Sequence, residues 1–499
     1  MRARVRPVAA LLALLMVLVG CSAGSTATVS GDEDTLAVGF TAEPENFDFT
    51  TSDGTAIPQA LLYNVYENLV KVGPDGELEP LLAKSWSISA DRTVYDFRLQ
   101  PDARFSNGAR FTAADVKFSI ERVPTEWAIS LKSKMDVVDR VEVIAPDHAR
   151  VVLKQPSNAW LFDMASRVGA MFSRTGVSDL ANNPIGTGPY TVAERRRGDS
   201  IVLRANPDYW GTQPGYRTVV LKYIADPTSL NNALLSNEID VIAQIAAPDS
   251  VPQFEADERF RVIQGTTNGE VVLAYNNARP PLDDARVRRA LTMAVDRQAL
   301  LETAWAGRGE LIGSMVPPTD PWYEDLSTAY PHDPSKAREL LARAGVRDLS
   351  LRLRIANLPY ATAAAQVVAS DLAQIGVQVT IDPLDFPAVW LDEVFTKHDY
   401  DMSIVQHVEP YDIVTFGDPD FYWGYDSPRV QRLLAQADSG SLQARNDKMR
   451  EAARVLAEDA AANWLFLFPN VIAAKSEVTG LVPNQVSESF DLTGIRAAR

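Results

Sequence analysis

The sequence predicts an α/β fold with at least two sheets. Three observations carry this. Residues 349–381 run strand, helix, strand, which calls for a parallel pair joined by a right-handed crossover. Residues 85–100, far upstream, alternate as a hairpin that needs a sheet of its own. The chain has 499 residues, 46% hydrophobic and 23% charged, an ordinary globular mixture long enough for about three domains.

The elements follow in chain order. Thr35 to Phe40, TLAVGF, is a short strand, and Ala60 to Val70 carries helical apolar spacing. In the hairpin, Tyr95, Phe97 and Leu99 share one face while Asp96 and Arg98 take the other, around a turn at Ala90-Asp91-Arg92. Asn107-Gly108 is a tight-turn pair, and Thr112 with Asp115 starts a helix leading into Val116 and Ile120. Val287, Ala290, Leu291, Ala294 and Val295 stripe a helix over 284–303. Asp333-Pro334 supplies an N-cap and a first-turn proline, and Gly345 stops that helix. Leu349, Leu351, Leu353 and Ile355 alternate as a strand, a helix spans 361–375 to Gly376, and Val377, Val379 and Ile381 form the next strand. Helices over 428–438 and 444–458 precede an apolar strand, Trp464 to Phe468.

The first twenty residues read as an address. Arg2, Arg4 and Arg6 precede Val8 to Gly20, thirteen uncharged residues, which is the pattern of an export signal. As a helix that run reaches about 20 Å, short of the roughly 30 Å hydrocarbon core. It ends Leu18-Val19-Gly20-Cys21, which looks like a bacterial lipobox whose cysteine is acylated and becomes the new N-terminus. Residues 22–33 are small and polar and read as a flexible tether. Without the signal, 45 basic residues face 65 acidic ones. That balance, with no basic stripe, argues against nucleic acid.

Motifs for chemistry are mostly missing. Cys21 is the only cysteine, and His148, His332, His398 and His407 form neither HExxH nor HxH, so a zinc or histidine-built metal site is not expected. There is no GxSxG and no GxxxxGK[ST]. Gly186-Thr187-Gly188 is followed by Pro189, which has no N–H for a phosphate, so a structural turn is expected. No cofactor is expected. Abundant carboxylates leave open a secreted hydrolase working through an Asp/Glu pair.

Four blocks then resemble the family 5 extracytoplasmic solute-binding proteins of ABC importers, the oligopeptide, dipeptide and nickel group. They are Glu79 to Arg122; Gly186 to Tyr190 with Asn206-Pro-Asp-Tyr-Trp210; Tyr275-Asn276-Asn277 through Pro280-Pro281-Leu282 to Asp296-Arg297; and Asp333 to Gly345. They stand in the family's order across nearly all of the chain. The resemblance implies a type II, three-domain, two-lobed hinged clamp with a ligand cleft between the lobes. Domain I would comprise 35–65, 181–268 and 475–499, domain II 66–180, and domain III 269–474. It further implies a monomeric, lipid-anchored extracytoplasmic subunit that is not an enzyme. Such a subunit captures peptides and delivers them to a membrane permease with separate ATPases. Other family solutes, a nickel chelate, an opine-like conjugate or an oligosaccharide, stay open.

The candidate ligand segment is His407 to Asp426, HVEPYDIVTFGDPDFYWGYD, dense in acids and aromatics. In peptide-binding members an aspartate in this part pairs with the ligand's α-ammonium. Here His-Val-Glu-Pro-Tyr-Asp-Ile replaces the W-x-x-D-Y-x-D-P-like run, so Glu409 and Asp412 compete for the role. Tyr411, Phe416 and Tyr422 belong to the same candidate set. His407 is a carboxylate or metal ligand or a packing residue, and Trp423 and Tyr425 stack on ligand or pack a lobe. Asn276 and Asn277 line the cleft or shape the hinge.

Overall fold

The computed structural model describes residues 34–52 and 54–498. The export signal, Cys21 and the expected tether over 22–33 lie outside the described residues. Among the described residues no helix is long and apolar enough to cross a membrane.

Two sheets dominate. The larger has ten strands in the order Gln378–Leu384, Ser350–Ala356, Met402–His407, Phe260–Tyr275, Ala462–Lys475, Val241–Ile242, Thr35–Phe40, Thr218–Tyr223, Ser200–Ala205, Tyr190–Arg196. The smaller has four antiparallel strands, Ala83–Ile88, Val94–Leu99, His148–Leu153 and Val138–Ala145. The hairpin expected at 85–100 forms the first pair, with Tyr95, Phe97 and Leu99 buried.

The expected strand–helix–strand unit is present. Ser350–Ala356 pairs in parallel with Gln378–Leu384, placing Leu353 beside Ile381. Between them the helix Pro359–Gln374 buries Ala361, Ala364, Ala365, Val368 and Leu372 at i, i+3, i+4, i+7 and i+11. Gly376 ends the turn at φ +82°, a left-handed conformation that glycine adopts without steric cost.

Two lobes meet along the large sheet. Leu36, Tyr95, Val116, Trp160, Leu203 and Leu492 share one core, and a smaller cluster under it joins Leu230 and Phe254 to Phe260 and Val471. The second lobe has two cores, one around Leu291, Leu353 and Val368, the other around Trp423, Leu434 and Leu456. The strands Phe260–Tyr275 and Ala462–Lys475 are long enough to serve both lobes. Their ladder breaks between Thr266 and Glu270, where Thr267, Asn268 and Gly269 leave the pairing. Val471 and Ala473 pack in one first-lobe cluster and Ile472 and Ala474 in the other.

Two helices differ from expectation. The helix expected over 284–303 is two, Ala285–Ala294 and Arg297–Trp305. Val295 is extended, and the Asp296 carboxylate accepts the Ala299 N–H at 3.0 Å as a fresh N-cap, so the apolar stripe continues while the backbone does not. The helical spacing of 60–70 yields only Ala56–Leu61, because Tyr63 turns left-handed at φ +63°.

The two runs of the second block, Gly186 to Tyr190 and Asn206 to Trp210, close a buried knot around Glu67. Glu67 is fully buried and accepts hydrogen bonds from Thr187 Oγ1 (2.8 Å), Tyr209 OH (2.8 Å) and Trp210 Nε1 (2.9 Å). The Gly-Thr-Gly run is a turn, as expected. A Cβ at Gly186 would lie 1.8 Å from the Val65 carbonyl oxygen, so the glycine is required by close approach of two backbones.

Candidate functional site

Where the two long strands cross, the lobes enclose a cavity of ≈ 600 Å³. Its walls come from both lobes and from the crossing itself: Gln59 and Gln244 of the first, Trp305, Tyr360, Gln406 and Glu409 of the second, and Thr267, Asn268 and Gly269 of the bulge. The bulge is pinned. Thr267 Oγ1 donates to the Phe468 carbonyl at 2.6 Å, and Asn268 Nδ2 donates to that of Val486 at 3.1 Å. One flank is aromatic, with Trp305 and Phe468 ring centroids 4.2 Å apart and Tyr360 edge-on to Phe468 at 5.8 Å.

The opposite flank is ionic. A narrow recess shares Asn268, Pro410, Ser487 and Glu488 with the cavity and adds Lys134, Asp163 and Tyr411. Lys134 Nζ pairs with Asp163 at 3.0 Å. Burial opposes the Lys134 charge, but Asp163, Glu409 and Asp412 outweigh it and hold the ammonium above its usual range. Arg167, wholly buried, pairs with Glu488, and its backbone N–H donates to the same carboxylate at 2.8 Å. Glu409 lies on this flank. Burial pushes its carboxyl up to about 7, Lys134 and Arg167 pull the other way, and Glu488 and Asp412 add to the rise. Among the described residues no basic side chain comes within 4 Å of the Glu409 carboxylate. Four acids, Asp163, Asp320, Glu409 and Glu488, line this flank against one lining cation, Lys134, with Arg167 buried beside Glu488.

Behind the wall sits a second layer. Asp412 Oδ2 is 3.2 Å from His407 Nδ1, and His407 Nε2 is 2.8 Å from Tyr422 OH. Glu270 faces His407 across the strand pair and is buried. Burial first, and the nearby Asp412 second, push the Glu270 carboxyl well up, which favours its neutral form.

The candidate residues thus divide. Glu409 lines the cavity, and Tyr411 lines the recess, with its backbone left-handed at φ +64° and its ring edge-on to Phe162 at 4.7 Å. His407 and Asp412 lie one layer behind. The others do not line the cavity. Phe416 stacks on Trp423 at 4.9 Å, and Trp423 Nε1 donates to Thr415 Oγ1. Tyr422 is 1% exposed in the same core, and Tyr425 OH donates to Asp459 at 2.8 Å. Asn276 Nδ2 donates to the carbonyls of His398 and Tyr400, and Asn277 Nδ2 to those of Tyr275, Trp423 and Ala461. These asparagines tie loops together by their amides. Their burial has a structural cause: unpaired backbone carbonyls at the strand end need donors. Lys134, Asp163, Arg167, Glu488 and the 267–269 bulge were not found from sequence. They come from distant stretches with no local pattern to mark them.

Residues 77–429 match the family described as bacterial extracellular solute-binding proteins, family 5 middle. The chain belongs to this family. It is 30% identical over 417 residues to di/tripeptide-binding protein 2 of Pseudomonas aeruginosa (strain UCBPP-PA14), covering 76% of this chain and 77% of the relative. It is 27% identical over 508 residues to the probable D,D-dipeptide-binding periplasmic protein DdpA of Escherichia coli (strain K12), covering 95% and 96%. Among solved structures, NikA from Brucella suis in complex with Fe(III)-EDTA superposes with a TM-score of 0.81 at 24% identity, over 93% of this chain and 99% of that one. The α/β two-lobed architecture is therefore that of periplasmic binding proteins. Such family 5 members are solute-binding proteins, not enzymes, and the carboxylate-pair hydrolase reading falls with that assignment.

Proposed function

We propose that this protein is the peptide-capturing subunit of an ABC importer, with Glu409 as the anchor for the ligand's α-ammonium. The single observation that carries the anchor is a half-buried carboxylate at the cavity wall with no cation of its own, on a flank with excess negative charge. At 4 Å a carboxylate–ammonium pair has a Coulomb term of about 4 kcal/mol at an effective dielectric of 20, partly offset by desolvation. Gln59, Gln244, Gln406 and Asn268 offer amides to a peptide backbone. Amide recognition of this kind reads the main chain and is tolerant of side chains. Asp412 and His407 support the anchor from behind, and Tyr411 shapes its recess.

In this reading the lobes close about the two crossing strands, with domain I over 35–65, 181–268 and 475–499, domain II over 66–180 and domain III over 269–474. Closure presents the loaded form to a permease with separate ATPases. Cys21 carries the lipid that keeps the monomer at the outer face of the cytoplasmic membrane; two or more acyl chains are needed for stable anchoring.

Calorimetry with a panel of di- to hexapeptides tests the ligand class. One saturable class of binding is expected, and Glu409→Gln is expected to weaken it more than tenfold. Unchanged affinity in both Glu409→Gln and Asp412→Asn would remove the anchor assignment, and a panel without any binder would remove the peptide reading.

A further inference from the structure

On a face that does not line the cavity, the lobes touch through reciprocal helix capping. The short helix Ala159–Asp163 belongs to the first lobe, where Trp160 and Leu161 lie in its core. The helix Pro428–Ser439 belongs to the second, with Val430, Leu433, Leu434 and Ala437 in its core. The end of each is completed by the other. Asn158 Nδ2 donates to the carbonyls of Ala437 (2.7 Å) and Gly440 (2.9 Å) at the C-terminal end of the second-lobe helix. Asp438 Oδ1 accepts the Ala159 N–H (2.9 Å) and the Ser157 hydroxyl (3.0 Å) at the start of the first-lobe helix. The Asn158 N–H donates to the Asp438 carbonyl at 2.8 Å. Asn158 is 4% exposed and Ser157 5%, so these bonds are shielded from water while the lobes touch.

An apolar contact backs the polar one. Phe162, on the same first-lobe helix, is edge-on to Tyr411, and the Arg445 guanidinium lies over Phe162 at 4.9 Å and over Trp322 at 5.0 Å. Within Asn158 the roles are fixed. Arg92 donates to its Oδ1, which leaves Nδ2 to face the helix carbonyls.

We propose that Asn158 and Asp438 are positioning residues for ligand capture: a clasp that stabilises the shut arrangement of the lobes without touching the ligand. The end groups of both helices are orphans that must find a partner or water. Shut, each lobe supplies the other's partner; open, all five bonds are exchanged for water. Affinity for a captured ligand includes the equilibrium between these states, so the clasp tunes affinity from outside the cavity. Its chemistry is asymmetric. Asp438 acts only through acceptor oxygens, which an amide oxygen reproduces. Asn158 acts through its N–H donors, which a carboxylate cannot reproduce and which would be replaced by charge against the helix carbonyls.

The consequence for affinity rests on the capture reading; the clasp itself is read without a ligand. Amide hydrogen exchange on the ligand-free chain compares wild type with Asn158→Asp and Asp438→Asn. Asn158→Asp is expected to speed exchange at least fivefold in 406–411 and 484–490, segments that line the cavity and recess and share no hydrogen bond with Asn158. Asp438→Asn is expected to stay near wild type. A change confined to 157–163 and 437–440 is the signature of a local structural role and overturns the proposal. Stopped-flow dissociation of trialanine adds the second readout: a faster off-rate in Asn158→Asp supports the clasp, and an unchanged one overturns its part in capture. Should wild type bind no trialanine, that result counts against the peptide reading, and the exchange experiment still decides the clasp.

Discussion

Glu409 shows how a single side chain sets a pH window. Its carboxyl is pushed up to about 7 by burial, with Lys134 and Arg167 opposing and Glu488 and Asp412 reinforcing. An ammonium binds the ionised form, so affinity is present above that value and lost as pH falls through it. A peptide α-amino group loses its own charge above about 8. Peptide affinity should therefore peak between about pH 7 and 8, with a loss approaching tenfold per pH unit on the acid side, read by calorimetry at fixed ionic strength. Glu409→Gln should abolish the acid limb and keep the basic one. Glu67 makes the complementary case for stability. Burial pushes its carboxyl from 4.5 up to about 7 despite three donors. The folded chain thus holds a proton that the unfolded chain releases. This contribution is full below about 4.5 and lost as pH rises to about 7, on the order of 3 kcal/mol. Thermal unfolding of Glu67→Gln, whose amide oxygen still accepts from Trp210, should show a flatter dependence between pH 5 and 7 than wild type.

At the scale of elements, the glycine turn after residue 185 is a steric requirement rather than a binding loop. Gly186→Ala drives a methyl into the Val65 carbonyl, and denaturant titration should show a loss of about 3 kcal/mol. Peptide affinity of the folded fraction should not move, because Gly186 is not at the cavity. Elements with a strong period were legible from the sequence. Pro359–Gln374 and the strands on either side of it followed from apolar spacing and two glycine stops. The break at Asp296 was hidden because the stripe of apolar residues runs through it unbroken, whereas the cap that restarts the helix is a single side chain. The cleft was harder still. Within 407–426 the sequence marked a rich segment but could not say which side chains point outward. Phe416, Trp423 and Tyr425 turn inward because aromatic area is best buried, while Glu409 stays at the wall. The Lys134–Asp163 and Arg167–Glu488 pairs arise only when distant stretches fold together.

At the scale of the molecule, capture is a coupling between two lobes and a guest. A bound peptide at a hundred times its Kd should stabilise the chain by about 2.7 kcal/mol. The expected sign is a rise in thermal midpoint with little change in the radius of gyration by solution scattering, since the Asn158–Asp438 contact already holds the ligand-free lobes together. A rise in midpoint with compaction would mean that the lobes are apart before the guest arrives. The central place of Thr35–Phe40 in the ten-stranded sheet has a further mechanical consequence. A strand gripped by a parallel neighbour on each side transmits any pull on the chain ahead of Asp34 straight into the first lobe. If the chain is moored from that end, as the proposed acylation of Cys21 would have it, the first lobe becomes the fixed plate and the second the moving shutter, and the proposed permease would sense arrival of cargo as a swing of one half alone.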